Sequence, residues 1–217
     1  MLRELHQLIR EDAIWLPGTP YIGSQDWQNK ISEISIAKKI GFKIPPTIFS
    51  NNEKEIKAFS KNEKILLREF STPPYSFPPY QIDDITKIDF KYIENSPCCF
   101  QKYIDKLFEF RVVVLKDKIF AVKIYSQDSE LAKRDWRVHD DANVKWELVE
   151  LPKTVNHMIL KMRKKLNLLW CSFDLILGID NEYYFLEVNR PGAHYWLDLF
   201  VGLDISKEIV KFIKNES

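Results

Sequence analysis

Two strongly apolar runs near the C-terminus constrain the fold of this chain more than any other feature of its sequence. Cys171–Leu177 and Glu182–Asn189 each have the length of a β-strand, and Asp180-Asn181 between them tolerates the positive φ of a tight turn. The pattern predicts an antiparallel hairpin. With a two-residue turn, Asp174 lies directly opposite Glu187 on this hairpin.

This pairing sets two carboxylates against each other on strands that are otherwise apolar. Opposed like charges repel, and burying them without a partner is costly. A divalent cation resolves the conflict, since Mg²⁺ binds oxygen ligands and leaves positions for water or phosphate. Asp174, Glu187 and Asn189, which shares their face, are therefore candidate metal ligands. Carboxylates that face solvent, or that pair with Lys or Arg, are equally compatible with this spacing.

A second pair of apolar runs predicts a hairpin of the opposite charge. With the three residues between Phe110–Leu115 and Ile119–Tyr125 as the loop, Arg111 lies opposite Lys123. Opposed cations favour an anion between them, although an ordinary ion pair between Arg111 and Glu109 is the simpler explanation of this hairpin alone. A cationic face and an acidic face in one chain together suggest an anion–metal complex such as a Mg-nucleotide.

The rest of the chain predicts an α+β protein in which helices and short strands are interspersed. Apolar periodicity and turn residues predict helices over 27–40, 53–60, 155–166 and 206–214, and further strands over 47–49, 64–70, 100–104 and 146–151. Four prolines in Ser71–Tyr80 exclude a helix interior or a central strand and predict a loop. The longest segment without regular structure is expected near residues 128–143.

Composition excludes several classes of protein. The 217 residues carry 32 Lys and Arg against 31 Asp and Glu, which argues against a dedicated nucleic-acid binder. No stretch of about 18 apolar residues is present, so we expect no transmembrane helix, and the N-terminus lacks the apolar core of a signal peptide. Cys98, Cys99 and Cys171 do not form a disulfide framework. We expect reduced cysteines and a cytoplasmic location.

Several motifs, taken in order, resemble the ATP-grasp superfamily. Phe185–Gly192, preceded by Asp174, resembles the metal-binding end of that fold, and Phe100–Ile104 resembles the strand and hinge that hold adenine. Phe110–Ile124 resembles the next hairpin, and Asn29–Thr47 resembles the helix and strand that open the fold. The similarity runs from about residue 27 to the C-terminus.

Within that superfamily the chain most resembles the peptide maturases that make graspetides of the microviridin type. The shared features are Phe-Gln-x-Tyr-Ile at 100–104, Ser126-Gln127, Asp135-Trp136-Arg137, and Trp196-Leu197 followed by Gly202–Ser206. The resemblance implies an α+β fold of two lobes with the nucleotide between them. It predicts a lead-in over 1–26, as a remnant of a preceding domain, a central lobe over 27–99 and a C-terminal lobe over 100–217.

The chemistry implied by this resemblance is ATP-dependent ligation. A peptide Asp or Glu side chain becomes an acyl phosphate and is then joined to a Ser, Thr or Lys side chain, which closes a macrocycle. A ligase for an amino acid or small metabolite, and a degenerate non-catalytic ATP-grasp partner protein, stay open as alternatives. The implied cofactors are ATP and Mg²⁺, and the implied partner is a peptide or small carboxylate, with a homodimer or a partner subunit left open.

The resemblance also carries roles over to single residues. Asp174, Glu187 and Asn189 are expected to hold Mg²⁺, and Arg111 and Arg137 to meet the γ-phosphate or acyl phosphate. The residues expected to contact the nucleotide are Lys30, Arg68, Gln101, Lys102, Tyr103, Ile104 and Lys123, of which Gln101 to Ile104 are expected to flank adenine through backbone groups. Ordinary surface ion pairs or strand positions remain the alternative for Lys30, Arg137 and Gln101.

Two features depart from the family pattern. Arg68 stands where ATP-grasp proteins usually have a second lysine, and its donor geometry differs from that of lysine. The loop Ser71–Tyr80 lacks the glycine that such loops commonly contain, and its prolines offer fewer amide donors to phosphate. A stiff lid, a peptide-docking surface and a loss of nucleotide binding are all compatible with this loop.

Overall fold

Two antiparallel sheets organise the chain. The computed structural model describes residue 16 and residues 30–61, 63–68, 80–133, 135–136, 143–190 and 194–216. The small sheet has the order β1-β4-β2-β3, with β1 Thr47–Ser50, β2 Ile65–Arg68, β3 Tyr80–Ile82 and β4 Cys98–Lys102. The large sheet has the order β7-β6-β5-β8-β9, with β5 Lys106–Leu115, β6 Lys118–Ile124, β7 Trp146–Val149, β8 Trp170–Gly178 and β9 Tyr183–Asn189.

Helices cover both faces of the large sheet. The helices are α1 Lys30–Ile40, α2 Glu53–Phe59, α3 Lys153–Lys165, α4 Tyr195–Phe200 and α5 Ile205–Glu216. Successive side chains of β5 alternate between the faces, so Val112 packs with α1 and α3 whereas Val113 packs with α4 and α5. The runs of apolar residues in the large sheet are therefore explained by burial on both sides. In the small sheet Ile56 of α2 packs against Ile65 and Phe100.

The elements expected from the sequence are present in the described residues, with shifted ends. The helix predicted over 27–40 begins at Lys30 among the residues that the structure describes. The strand predicted over 64–70 is seen over Ile65–Arg68, and positions 69 and 70 lie outside the described residues. The helix α4 was missed, because six residues do not show a clear helical period. The three-residue strand β3 was also missed, and Tyr80, predicted to end the loop, begins that strand. No helix in the described part of the chain is long and apolar enough to span a membrane.

The acidic hairpin has the predicted central pairing but a different turn. Asp174 lies opposite Glu187, as expected, whereas beyond it Leu175 pairs with Phe185. The amide of Gly178 donates to the carbonyl of Glu182 at 3.0 Å, so the turn has three residues and not two. A bulge between Asp174 and Leu175 compensates for the additional turn residue and restores the predicted register at the carboxylates.

The predicted register of the β5–β6 hairpin is wrong by one residue. Lys116 adopts a φ of 52° in a two-residue turn, and Leu115 pairs directly with Lys118. Arg111 therefore lies opposite Val122 and not opposite Lys123. Because a shift of one residue moves a side chain to the other face, Lys123 and Arg111 lie on opposite faces of the sheet.

Two adjacent chain segments connect the sheets. After α1, the carbonyl of Lys43 accepts the amide of Phe185 at 2.9 Å, and the chain then enters β1. The second connection follows β4 at residues 103–105, and the amide of Lys102 donates to the carbonyl of Pro46 at 2.8 Å, which ties the two connections together. Because β4 pairs with β1 and β2, we propose that the lobes divide at residues 103–105 and not between 99 and 100.

Asp198 joins α4 to the start of α5. Its carboxylate oxygens accept the amides of Ile205 and Ser206 at 2.8 and 2.9 Å, which satisfies two of the unpaired N–H groups at that helix end. Burial acts to raise the pKa of Asp198, but the hydrogen bonds from Ser206 and Ile205 outweigh it and hold the pKa below its usual value.

Replacing Asp198 with alanine should lower the free energy of unfolding by about 1–2 kcal/mol, because α5 loses its N-terminal acceptor. A depressed carboxyl pKa contributes stability above the unfolded value of about 3.9, and this contribution is lost as the pH falls through the folded pKa. Urea denaturation at pH 7 and pH 3 measures both effects. Glu130→Ala, at an exposed site away from α5, is the control; equal stability of Asp198→Ala and wild type at pH 7 contradicts the assignment.

Candidate active site

A cleft of about 480 Å³ opens between the two sheets and their connection. The small sheet contributes Arg68 and Gln101 to its wall, and the large sheet contributes Glu109, Asp174 and Glu187. The backbone between β4 and β5 closes one end of the cleft, where Tyr103 and Ile104 line it. The cleft therefore has a backbone end and a charged end.

The three predicted metal ligands lie together at the charged end. The Nδ2 of Asn189 is 3.0 Å from Oδ2 of Asp174 and 3.4 Å from Oε1 of Glu187. Two carboxylates and an amide are a suitable oxygen donor set for Mg²⁺ once the amide turns its oxygen inward, and the orientation of an Asn amide is assigned from its hydrogen bonds. Within the described residues no cluster of three His, Cys, Asp or Glu side chains has the arrangement of a metal site.

Cations neutralise both carboxylates. Nη1 of Arg111 contacts the two carboxylate oxygens of Asp174 at 2.9 and 3.1 Å, and both residues are at least nine-tenths buried. Oε2 of Glu187 lies 3.1 Å from Nη2 of Arg68 and 3.3 Å from Nζ of Lys30. The ion-pair arrangement left open by the sequence is thus present, and the assignment of the same carboxylates to a metal stays a prediction.

The predicted nucleotide ligands Lys30 and Arg68 come from different elements and meet at one carboxylate. Lys30 begins α1, and Arg68 ends β2 in the wall that the small sheet contributes to the cleft. Burial lowers the pKa of Lys30, the nearby guanidinium of Arg68 lowers it further, and Glu187 acts in the opposite direction. A concentration of positive charge at this end suits an anionic ligand.

The side chain of Gln101 has a contact that the sequence did not predict. Its Oε1 accepts Nη1 of Arg68 at 2.9 Å, and its Nε2 donates to Oγ1 of Thr47 at 2.9 Å. Sequence reasoning assigned only backbone groups of Gln101 to the site. The signal in the sequence that could have indicated this contact was an uncharged polar residue in an apolar strand. In the structure Gln101 is 2% exposed.

The backbone end of the cleft offers the amide of Ile104 to a ligand. The amide of Tyr103 donates to the carbonyl of Lys64 at 2.9 Å, whereas that of Ile104 makes no hydrogen bond within the described part of the chain. The ammonium of Lys102 pairs with the carboxylate of Glu63 at 2.5 Å, so its ion-pair partner lies just before β2 of the small sheet.

Two of the predicted contact residues are not brought into this arrangement by the described structure. The ammonium of Lys123 lies over the rings of Phe108 and Tyr125, at 3.6 and 4.7 Å from their centroids, on the face away from Arg111. Arg137 lies outside the described residues, as does most of the proline-rich segment 71–80.

A buried ion pair in the cleft was missed by sequence reasoning, which considered Glu109 only as a partner of Arg111. Nζ of Lys106 is 2.8 Å from Oε1 of Glu109, and each side chain is 7% exposed. Burial raises the pKa of Glu109, and Lys106 opposes that shift. Residues three apart on a regular strand point to opposite faces, but a register shift between Lys106 and Phe108 brings both groups to the cleft.

Glu33 is a second carboxylate that the sequence did not indicate. It lies one helical turn after Lys30 and is 4% exposed. Burial raises the pKa of Glu33 to about 7, although Arg190 and Lys30 act in the opposite direction. A glutamate in the first turn of a helix is typical of exposed positions, so no pattern in the sequence pointed to its burial.

Solved structures of ATP-grasp ligases share this architecture. A RiPP-associated ATP-grasp ligase from Chryseobacterium gregarium, in complex with ADP and a leader and core peptide, is 32% identical with a TM-score of 0.76. It is matched over 87% of this chain and 60% of its own. The macrocyclase MdnC from Microcystis aeruginosa MRC, bound with the precursor peptide MdnA, is 29% identical with a TM-score of 0.70, over 86% of this chain and 60% of its own.

A third neighbour matches in fold at lower identity. The ATP-grasp ligase PsnB, complexed with a variant of its minimal precursor, Mg and ADP, is 17% identical with a TM-score of 0.71, over 87% of this chain and 58% of its own. This chain thus spans about 60% of the length of the ligases that it matches. No protein-family model matches the sequence, and no curated protein does.

The buried Glu33 carboxyl predicts an unusual pH dependence of stability. Because its pKa is about 7 in the folded protein and about 4.3 in the unfolded chain, the folded state retains the proton between these values, and stability falls as the pH rises through that window. From pH 5 to pH 8, the stability of Glu33→Gln relative to wild type should increase by on the order of 2 kcal/mol. Urea denaturation without nucleotide or Mg²⁺ measures this difference.

The exposed substitution Glu53→Gln is the control for the charge change. A difference between Glu33→Gln and wild type that stays constant from pH 5 to pH 8 contradicts the burial of an ionisable carboxyl at this position.

Proposed function

We propose that this chain, which has the ATP-grasp fold, is an ATP-dependent ligase that acts on a peptide. In the proposed reaction a carboxylate oxygen of a peptide Asp or Glu attacks the γ-phosphate of ATP, and ADP leaves. A Ser or Thr hydroxyl or a Lys amine then attacks the acyl carbon and displaces phosphate. The observation that carries the proposal is the opposition of Asp174 and Glu187, surrounded by three cations, at the charged end of the cleft.

The cleft offers matching groups along its length for a nucleotide. The amide of Ile104 suits a ring nitrogen of adenine, and the carboxylate of Glu109 suits the hydroxyls of the ribose. At the charged end, Nε of Arg68 is buried and has no acceptor among the described residues. A phosphate oxygen satisfies this donor, so Arg68 and Lys30 are the proposed phosphate ligands.

Asp174, Glu187 and Asn189 are the proposed Mg²⁺ ligands. These residues would hold Mg²⁺, which would supply positive charge to neutralise the phosphates. Arg111, whose guanidinium contacts Asp174, would meet the transferred phosphoryl group and orient the attacking carboxylate. We propose the same role for Arg137, on the strength of the family resemblance. Positioning and charge neutralisation are the main contributions that a protein makes to phosphoryl transfer.

The peptide substrate is proposed from the neighbours. The ligase from Chryseobacterium gregarium was solved with a leader and core peptide, and MdnC was solved with a precursor peptide. Both are more than 25% identical to this chain and match at least 86% of it. That the linkage formed in the peptide is an ester or an amide is likewise part of the proposal.

The metal role of Glu187 predicts Mg-dependent nucleotide binding. Calorimetric titration of the wild type with ADP should show an affinity that Mg²⁺ increases, and Glu187→Ala should remove most of that increase, roughly tenfold or more. Glu182→Ala, an exposed change in the same hairpin, is the matched control. An ADP affinity of the wild type that is undetectable with Mg²⁺ contradicts nucleotide binding itself.

The peptide ligation predicts a defined mass change. Incubation with ATP, Mg²⁺ and a peptide encoded beside the gene should remove one water per crosslink, measured by mass spectrometry. Tandem fragmentation then locates each link between an acidic side chain and a Ser, Thr or Lys. An unchanged peptide mass while ATP is hydrolysed in the presence of a small carboxylate contradicts the peptide substrate and favours a metabolite ligase.

A further inference from the structure

We propose that the side chain of Gln101 is a positioning residue that aims Arg68 at the phosphates of the nucleotide. This inference rests on the proposed function and deepens it. It starts from a continuous series of hydrogen bonds from the carbonyl of Pro45 through Thr47 and Gln101 to Arg68 and on to Glu187. The series links the connection between the sheets to the charged end of the cleft.

The orientation of the Gln101 amide is fixed by its neighbours. The hydroxyl of Thr47 donates to the carbonyl of Pro45 at 2.7 Å, so Oγ1 of Thr47 can only accept from Gln101. The NH₂ group of Gln101 therefore faces Thr47, at 2.9 Å, and the carbonyl oxygen faces the guanidinium of Arg68, also at 2.9 Å. Reversing the amide places two donors against each other at Arg68 and two acceptor oxygens against each other at Thr47.

Burial restricts the movement of the side chains in this series of hydrogen bonds. Gln101 is 2% exposed, and the side chain of Arg68 is 9% exposed. Gln101 pairs with Leu66 in the small sheet, so Arg68, two residues further along the same strand, is its diagonal neighbour on the same face. A buried polar group whose partner is removed costs free energy, which favours one arrangement of both side chains.

The geometry uses a property that arginine has and lysine lacks. One terminal nitrogen of Arg68, Nη1, is held by Gln101, while the other, Nη2, lies 3.1 Å from Glu187 and Nε has no acceptor among the described residues. A planar guanidinium held at one corner presents its other donors in a fixed direction. A lysine ammonium has a single nitrogen, so it cannot be held at one nitrogen while another binds phosphate. Gln101 and Arg68 therefore act as a pair.

A double-mutant cycle tests this pairing. Gln101→Met keeps the length of the side chain and removes both hydrogen bonds. It should weaken binding of ATP with Mg²⁺ on the order of tenfold, since a hydrogen bond to a charged group is lost. In the Arg68→Ala background the same substitution should change ATP affinity by less than about twofold, because the residue it acts through is already absent. Losses that simply add in the double variant overturn the proposal.

Adenosine separates positioning of Arg68 from support of the backbone end of the cleft. Adenosine has no phosphate, so Gln101→Met should leave its affinity within about twofold of wild type. An equal loss for adenosine and ATP overturns the proposal. Asn156→Leu, which removes a part-buried amide that donates to the carbonyl of Leu151 outside the cleft, is the control and should leave both affinities unchanged.

Thr47→Val provides an independent variant if Gln101→Met does not fold. It removes the acceptor of the Gln101 amide, together with the hydrogen bond from Thr47 to Pro45, and should weaken ATP binding several-fold, and only when Arg68 is present. Thermal unfolding of each variant establishes that it is folded. Undetectable ATP binding by folded wild type removes the proposed function and this inference together, whereas normal wild-type binding with an additive cycle removes the inference alone.

Discussion

Charge compensation at Glu187 is the interaction on which the arrangement of the cleft depends. The carboxylate belongs to β9 of the large sheet, and cations from α1 and from β2 of the small sheet contact it. Three parts of the chain that are distant in sequence thus meet at one group. A buried carboxylate without these partners is costly, so the two walls of the cleft are held in register by the charges that the proposed reaction uses.

The large sheet fixes the position of the groups that meet at Glu187. Its strands are buried on both faces by helices, which fixes which residues of β5, β8 and β9 face the cleft. Arg111, Asp174 and Glu187 then follow one another across three neighbouring strands. Asp174 is in direct contact with Arg111 and, through Asn189, with Glu187. The charged end of the cleft is therefore a property of strand pairing and not of flexible loops.

The sequence was sufficient for the central pairing of the acidic hairpin but not for its details. A two-residue turn was assumed, whereas a three-residue turn and a bulge occur, and the two differences cancel at Asp174 and Glu187. In the β5–β6 hairpin the turn length was also wrong, but no bulge compensated, so Lys123 lies on the other face. Turn length cannot be read reliably from apolar alternation, because both lengths fit the same pattern.

Several tertiary contacts were beyond what the sequence could give. The pairing of Lys106 with Glu109 depends on a strand irregularity, and that of Gln101 with Arg68 depends on which strands are neighbours in the small sheet. The burial of Glu33 depends on α1 packing against the large sheet. The ATP-grasp fold, in contrast, was recognisable from ordered motifs, because the strand and turn chemistry of each motif is local.

The two connections between the sheets have a mechanical consequence. They run side by side and are tied by the hydrogen bond from Lys102 to Pro46, so within the described residues they define a single line across the back of the cleft. Relative movement of the lobes is then a rotation about that line, with little freedom to slide or twist. Displacement in such a rotation grows with distance from the axis. The residues near Ile104 therefore move little, whereas the contact between Arg68 and Glu187 breaks when the cleft opens and forms when it closes.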